Sequence, residues 1–216
     1  MFMPDALSIF RTPPTPDYAD LDNPPKKRIA LAARRVFMMY GVYMPLRAIT
    51  ELAQTNEATA IRYFESQSGL VHSYVQDLIK DLETFWKEAE AEYPTDSEAQ
   101  LRSWLHGLGL RSVDAFDEAS QLARVEAQLF RWDASPLLTQ VRSVRMKELN
   151  RIIRLCEKAS FDEPSLLAHK LMLLVDGARS NSNCYEFGGP HSHLLEAASD
   201  LMAVHRGGAK LISPLD

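Results

Sequence analysis

Arg47, Glu57, Thr59, Arg62 and Tyr63 are polar or charged side chains in one stretch, Pro45 to Phe64 (PLRAITELAQTNEATAIRYF), spaced so that they can hydrogen-bond to phosphates and base edges. Leu46, Ile49, Leu52 and Ala53 recur at helical spacing, so a first short helix packs on one face and turns Arg47, Thr50 and Glu51 outward. A polar break at Thr55-Asn56 follows. Asn56 is placed to cap a second short helix, held down by Ala60, Ile61 and Phe64, with Glu57, Thr59, Arg62 and Tyr63 free. Two such helices about a tight turn form a helix-turn-helix, whose second helix fits a major groove. The bare pattern is equally that of any small αα-hairpin.

A second set of residues suits an apolar small-molecule pocket: Trp104, His106, Phe116, Phe130, Trp132, Met146, His169, Met172, Asp176 and Arg179. Taken singly, each is as much at home in a helical core. Asp176 is the sharpest of them, because a carboxylate in the apolar run LLAHKLMLLVDGA needs a donor or a cationic ligand, and Arg179 is close enough along a helix to pair with it. His191-Ser192-His193 offers two imidazoles, but a third ligand would have to come from Cys184 or Glu186, so no metal site is expected. Phosphate loops, nucleophile elbows and zinc-protease patterns do not occur, so neither catalysis nor a cofactor is expected.

Around the helix-turn-helix, KKRIALAARRVFMMYG forms an amphipathic helix with Ile29, Ala33, Val36, Phe37 and Tyr40 inward, stopped by Gly41. Ser66 caps a long helix running to Tyr93, before Pro94. Three short helices and one long one, with Arg62-Tyr63-Phe64-Glu65-Ser66 at the joint, resemble the N-terminal domain of the TetR family of transcriptional regulators over roughly residues 26 to 86. The chain departs from the family pattern at several positions. Gln54 stands for the turn glycine, Thr55 for a hydrophobic residue, and Glu57 for the lysine common at the start of the recognition helix. Ile61 replaces an aromatic residue that touches phosphate, and Gln67 replaces the lysine that opens the fourth helix. The resemblance implies a DNA-facing set of Arg47, Thr55, Asn56, Glu57, Thr59, Arg62, Tyr63 and Gln67.

Charge is gathered where DNA would sit. Residues 26 to 72 hold seven Lys/Arg against three Glu, a balance of +4, within a chain of net charge −5. Residues 1 to 25 carry four Asp against Arg11 and six of the twelve prolines, and read as a flexible, Pro-rich leader rather than a minor-groove arm. No apolar run is long enough for a signal peptide or a membrane span, so a soluble, cytoplasmic protein is expected. Cys156 and Cys184 fit a reducing compartment and a core without disulfides.

Five of the six remaining prolines, at 45, 94, 136, 164 and 190, fall where helices begin or end, with Asp96/Ser97, Ser135 and Asp162 as nearby caps. They divide the body into helices near 97 to 117, 119 to 132, 136 to 159, 163 to 184 and 191 to 205. The expected fold is all-α: a leader over 1–25, a three-helix helix-turn-helix head over 26–72, and a long helix leading into a helical body over 73–216. By the resemblance the last two helices form a four-helix dimer interface through Leu167, Leu171, Leu174, Leu194, Ala198 and Leu201, although a monomeric core fits the same pattern. The resemblance implies a homodimeric repressor on a palindromic double-stranded DNA operator, released by a small-molecule effector that the sequence does not name. The alternative is a helical small-molecule-binding or interaction protein of the same fold with weak DNA binding.

Overall fold

Proline and glycine place the helix ends much as the sequence implies. The computed structural model describes residues 21–110, 118–129, 136–181 and 193–206, and all regular structure among them is helical. The described helices are α1 (Pro25–Tyr40), α2 (Leu46–Leu52), α3 (Glu57–Phe64), α4 (Gln67–Glu92), α5 (Ser97–Leu110), α6 (Glu118–Leu129), α7 (Pro136–Lys158), α8 (Pro164–Asn181) and α9 (Leu194–Val204). Pro25, Pro136 and Pro164 each occupy the first helical position, where a missing N–H costs nothing, and Pro45 directly precedes α2. Asp96 Oδ1 accepts from Ala99 N at 2.9 Å and so caps α5. Ser135 and Pro190 lie outside the described residues. No helix among the described residues is long and apolar enough to cross a membrane.

The chain divides into two compact units, Met1–Leu78 with Arg124–Leu137, and Ile79–Ala123 with Leu138–Asp216. In the first, α1 packs on α2 and α3 through Ile29, Ala33, Val36 and Phe37, against Ile49, Ala60 and Phe64. Phe37 meets Tyr74 of α4 with ring centroids 5.3 Å apart. The stop at Gly41 has φ +93 and donates its N–H to Phe37 O at 2.9 Å. Tyr40, expected inward, is instead 40% exposed, because the helix ends there and nothing continues the packed stripe.

The second half of α6 completes this unit. Arg124 donates from Nη1 to Met38 O at 2.6 Å and from Nη2 to Met39 O at 3.3 Å, placing a cation on the last carbonyls of α1. Val42 N donates to Gln128 Oε1 at 3.0 Å, and the Tyr43 hydroxyl donates to the Gln128 carbonyl. A Cβ at Gly41 would come within 2.5 Å of Gln128 Nε2, so glycine serves both backbone angle and space there.

In the second unit α9 packs on α8 and α5, around Leu101, Trp104, Leu167, Leu171, Leu194, Ala198 and Met202. His205, 1% exposed, donates from Nδ1 to the Asp162 carbonyl at 2.6 Å, and its Nε2 faces Lys170 Nζ at 3.4 Å. The Asp162 N–H donates back to the His205 carbonyl at 2.7 Å, fixing the α7–α8 corner to the end of α9. Leu167, Leu171, Leu194 and Ala198, expected at a dimer interface, are at most 4% exposed within the single chain. Their stripe closes the α8–α9 core, so they are not available to a partner. Leu174 and Leu201 are half-buried, and the outward apolar residues are Leu166, Leu173 and Val204 at 40%, 75% and 37% exposure.

Candidate nucleic-acid interface

Helix α3 is built to stand out from its support. Asn56 Oδ1 accepts from Thr59 N at 2.9 Å and from Thr59 Oγ1 at 3.0 Å, satisfying two donors of the first turn. Glu57 lies in that turn, where the helix dipole favours a carboxylate, and Arg62 lies in the last turn, where it favours a cation. The turn from α2 is closed by Gln54 N to Glu51 O at 3.1 Å and Thr55 N to Thr50 O at 2.9 Å. Gln54 takes φ 49 to make it, a left-handed conformation that glycine adopts at least cost.

Only Ala60 and Phe64 of α3 are buried. Ile61, expected to help hold the helix down, is 49% exposed, because an eight-residue helix resting on one edge turns that position outward. The outward face therefore consists of Glu57, Ala58, Ile61, Arg62 and Glu65, with Tyr63 beside it at 40% exposure. Thr50 corrects the reading of α2 in the opposite sense. It is 2% exposed and its hydroxyl donates to Arg47 O at 3.0 Å, so a polar residue is buried without an unmet hydrogen bond. Arg47 is outward as expected, paired with Glu51 at 2.7 Å.

The joint to α4 needs close backbone approach. Ser66 Oγ caps α4 by accepting from Gly69 N at 3.0 Å, and a Cβ on Gly69 would lie 1.9 Å from Phe64 O, so only glycine fits. Gln67 Nε2 donates to Met44 O at 2.9 Å, tying the start of α4 to the loop before α2. An open groove of about 390 Å³ beside α3 is lined by Lys26, Tyr63, Glu65, His72, Gln76 and Asp77 among others. Sequence reasoning missed this groove, and also Arg124, Gln128 and Tyr43 at the end of α1. Arg124 and Gln128 are one turn apart on a single helix face, but nothing local signals a partner 86 residues away.

The body candidates separate. Trp104 is 1% exposed and donates from Nε1 to Glu148 Oε1 at 3.2 Å. Its ring stacks on Trp86 at 6.4 Å, and the Arg151 guanidinium lies 5.1 Å from the centre of the Trp86 ring. Trp86 Nε1 is buried without a hydrogen-bond partner. Met172 is half-buried. Asp176 finds a cation in Arg145 of α7 at 2.8 Å, a partner the sequence reading did not name. His106, Met146 and His169 are exposed, with His169 Nδ1 on the Ser165 carbonyl at 2.7 Å, so these three do not line an enclosed pocket. Phe116, Phe130, Trp132 and the side chain of Arg179 lie outside the described residues, as do His191 and Cys184. His193 is exposed and meets Glu196 at 3.2 Å, and no His/Cys/Asp/Glu group among the described residues is placed to hold a metal. The Cys156 thiol is pushed up to about 12, first by burial and then by the neighbouring Glu157 carboxylate, and stays protonated at neutral pH.

Comparison with known proteins rests on structure. No family model and no curated protein matches the chain. Among solved structures, a TetR-family transcriptional regulator from Streptomyces coelicolor is similar with a TM-score of 0.73 at 17% identity, covering 84% of this chain and 95% of that one. A TetR transcription regulator from Haloarcula marismortui matches with a TM-score of 0.66 at 14% identity, over 84% of this chain and 97% of the other. The MbdR regulator from Azoarcus matches with a TM-score of 0.66 at 16% identity, over 87% and 100% of the two chains. The fold is TetR-like and all-α.

Proposed function

We propose that this TetR-like chain is a DNA-binding transcriptional regulator, acting in the cytoplasm as a homodimeric repressor that a small-molecule ligand releases. The observation that carries the reading is α3, a capped helix that keeps two residues buried and turns a continuous face outward. It sits in a segment of charge +4 within an otherwise acidic chain, which favours a polyanion at this end. Arg47, Thr55, Asn56, Glu57, Thr59, Arg62, Tyr63 and Gln67 form the contact set in this reading, with Asn56 and Gln67 acting mainly as supports through their internal hydrogen bonds. Two heads of a dimer would meet half-sites about 34 to 36 Å apart, or a multiple of that.

A second copy packs against the outward side of α8, at Leu166 and Leu173, together with half-buried Leu174 and Leu201. The effector is assigned to the body near Trp104 and Trp86, where an unmet indole N–H and a buried carboxylate, Glu148, lie among aromatic rings. A second reading, a ligand-binding protein of the same fold that reads DNA weakly, draws on Glu57 and Glu65, two carboxylates on the outward face of α3.

Purified protein titrated with its own promoter region, with and without candidate ligands, separates the two. Arg62→Ala should weaken binding to all sequences alike and lower the salt slope by about one, as expected for loss of one phosphate contact. An unchanged slope would remove Arg62 from the interface.

A further inference from the structure

The groove beside α3 opens at the start of α1. Lys26 lines it together with Tyr63, Glu65, His72 and Asp77, so a cation and two carboxylates share one space. The first turn of α1 is one-sided in charge: Lys26, Lys27 and Arg28 stand there with no acidic residue and no side-chain cap, although a helix start favours negative charge. Arg28 is 8% exposed, and its Nε is buried without a hydrogen-bond partner. A guanidinium so buried is stabilised by a carboxylate or a phosphate.

Two sources of negative charge are within reach, DNA and the chain's own leader. A phosphate backbone carries one sign of charge only, and Glu65 and Asp77 oppose it along the groove. Residues 1–20 carry both signs, with Arg11 between Asp5 on one side and Asp17 and Asp20 on the other, and apolar Leu7, Ile9 and Phe10 beside that arginine. They join the described residues at Leu21, five positions before Lys26. A segment of that length spans at most about 70 Å, so it reaches all of the groove, and its tether presents it there at a concentration on the order of millimolar.

We propose that residues 1–20 dock in this groove as an intramolecular cover, with Asp17 and Asp20 at the cationic first turn of α1 and Arg11 on the carboxylates of Glu65 and Asp77, and that the docked leader excludes DNA by covering Tyr63. The docking stands on charge and tether alone. The exclusion of DNA rests on the DNA-binding reading above, in which Tyr63 is a contact.

The test uses the full chain with the photo-crosslinking residue p-benzoylphenylalanine in place of Phe10. Irradiated without DNA, it should link to the same chain between Tyr63 and Asp77, and Arg11→Glu should abolish that link. Binding of a random-sequence duplex at low salt is then measured by fluorescence anisotropy, without the photo-crosslinker. Simple charge repulsion predicts that Arg11→Glu weakens binding, because the chain becomes more negative. Release of a docked leader predicts the opposite, a tightening of about tenfold, as when nine wild-type molecules in ten hold the cover closed. Cross-links outside the groove or to a second copy overturn the proposal, as does weaker or unchanged duplex binding by Arg11→Glu. If the link falls in the groove but neither chain binds any duplex, the DNA-binding reading falls and the docking stands.

Discussion

Gln54 holds a conformation that its side chain opposes. At φ 49 it makes the turn into α3, and a left-handed backbone costs a residue with a Cβ about 1–2 kcal/mol. Glycine would avoid that cost and lose part of the gain to greater freedom in the unfolded chain. Gln54→Gly should therefore raise stability by about 0.5–1 kcal/mol, read as a higher urea midpoint at constant slope. An unchanged or lower midpoint would mean that the turn is not strained. The sequence reading located this position, and it located the caps Asn56 and Ser66, because a cap is decided by a side chain and a backbone group three residues apart. It misplaced Thr50 and Ile61 for a related reason. Polarity alone does not say that a hydroxyl has found its own helix carbonyl, nor does hydrophobicity say which edge of a short helix touches the core.

Helices α8 and α9 show where periodicity stops being informative. Apolar residues surround much of α8, and the pattern identifies them without saying which stripe faces α9 and which faces solvent. The structure separates them: Leu194 is 4% exposed in the core, and Leu173 is 75% exposed. Two substitutions of the same chemistry should then behave differently. Leu173→Glu should leave a folded chain that runs as a monomer in light scattering and loses operator binding. Leu194→Glu buries an unpaired carboxylate and should cost about 3 kcal/mol or more, giving a lower urea midpoint or insoluble protein. If Leu173→Glu remains dimeric, the outward side of α8 is not the interface. The extents of α7 and α9 were legible within a few residues from Pro136, Pro164 and the apolar spacing. The partnership of α6 with the end of α1 was not, because it joins residues that are remote in sequence.

At the scale of the molecule, the all-helical order and the basic head in an acidic chain were readable from composition and pattern, because both are sums over many residues. The division into units was not, since the first unit is assembled from two separate stretches of chain. That discontinuity sets an order of events during synthesis. When residue 78 has been added the segments of the three short helices have all been synthesised, but the carbonyls of Met38 and Met39 and the N–H of Val42 must wait for Arg124 and Gln128, still to be translated. At about 5–20 residues per second the nascent head stays incomplete for several seconds, open to proteases and to chaperones that recognise exposed apolar surface. A ribosome-bound chain stalled with residues 1–80 outside the exit tunnel should be cleaved readily between α1 and α2. One stalled with residues 1–137 outside should resist, and equal cleavage of the two would mean that the head matures without α6.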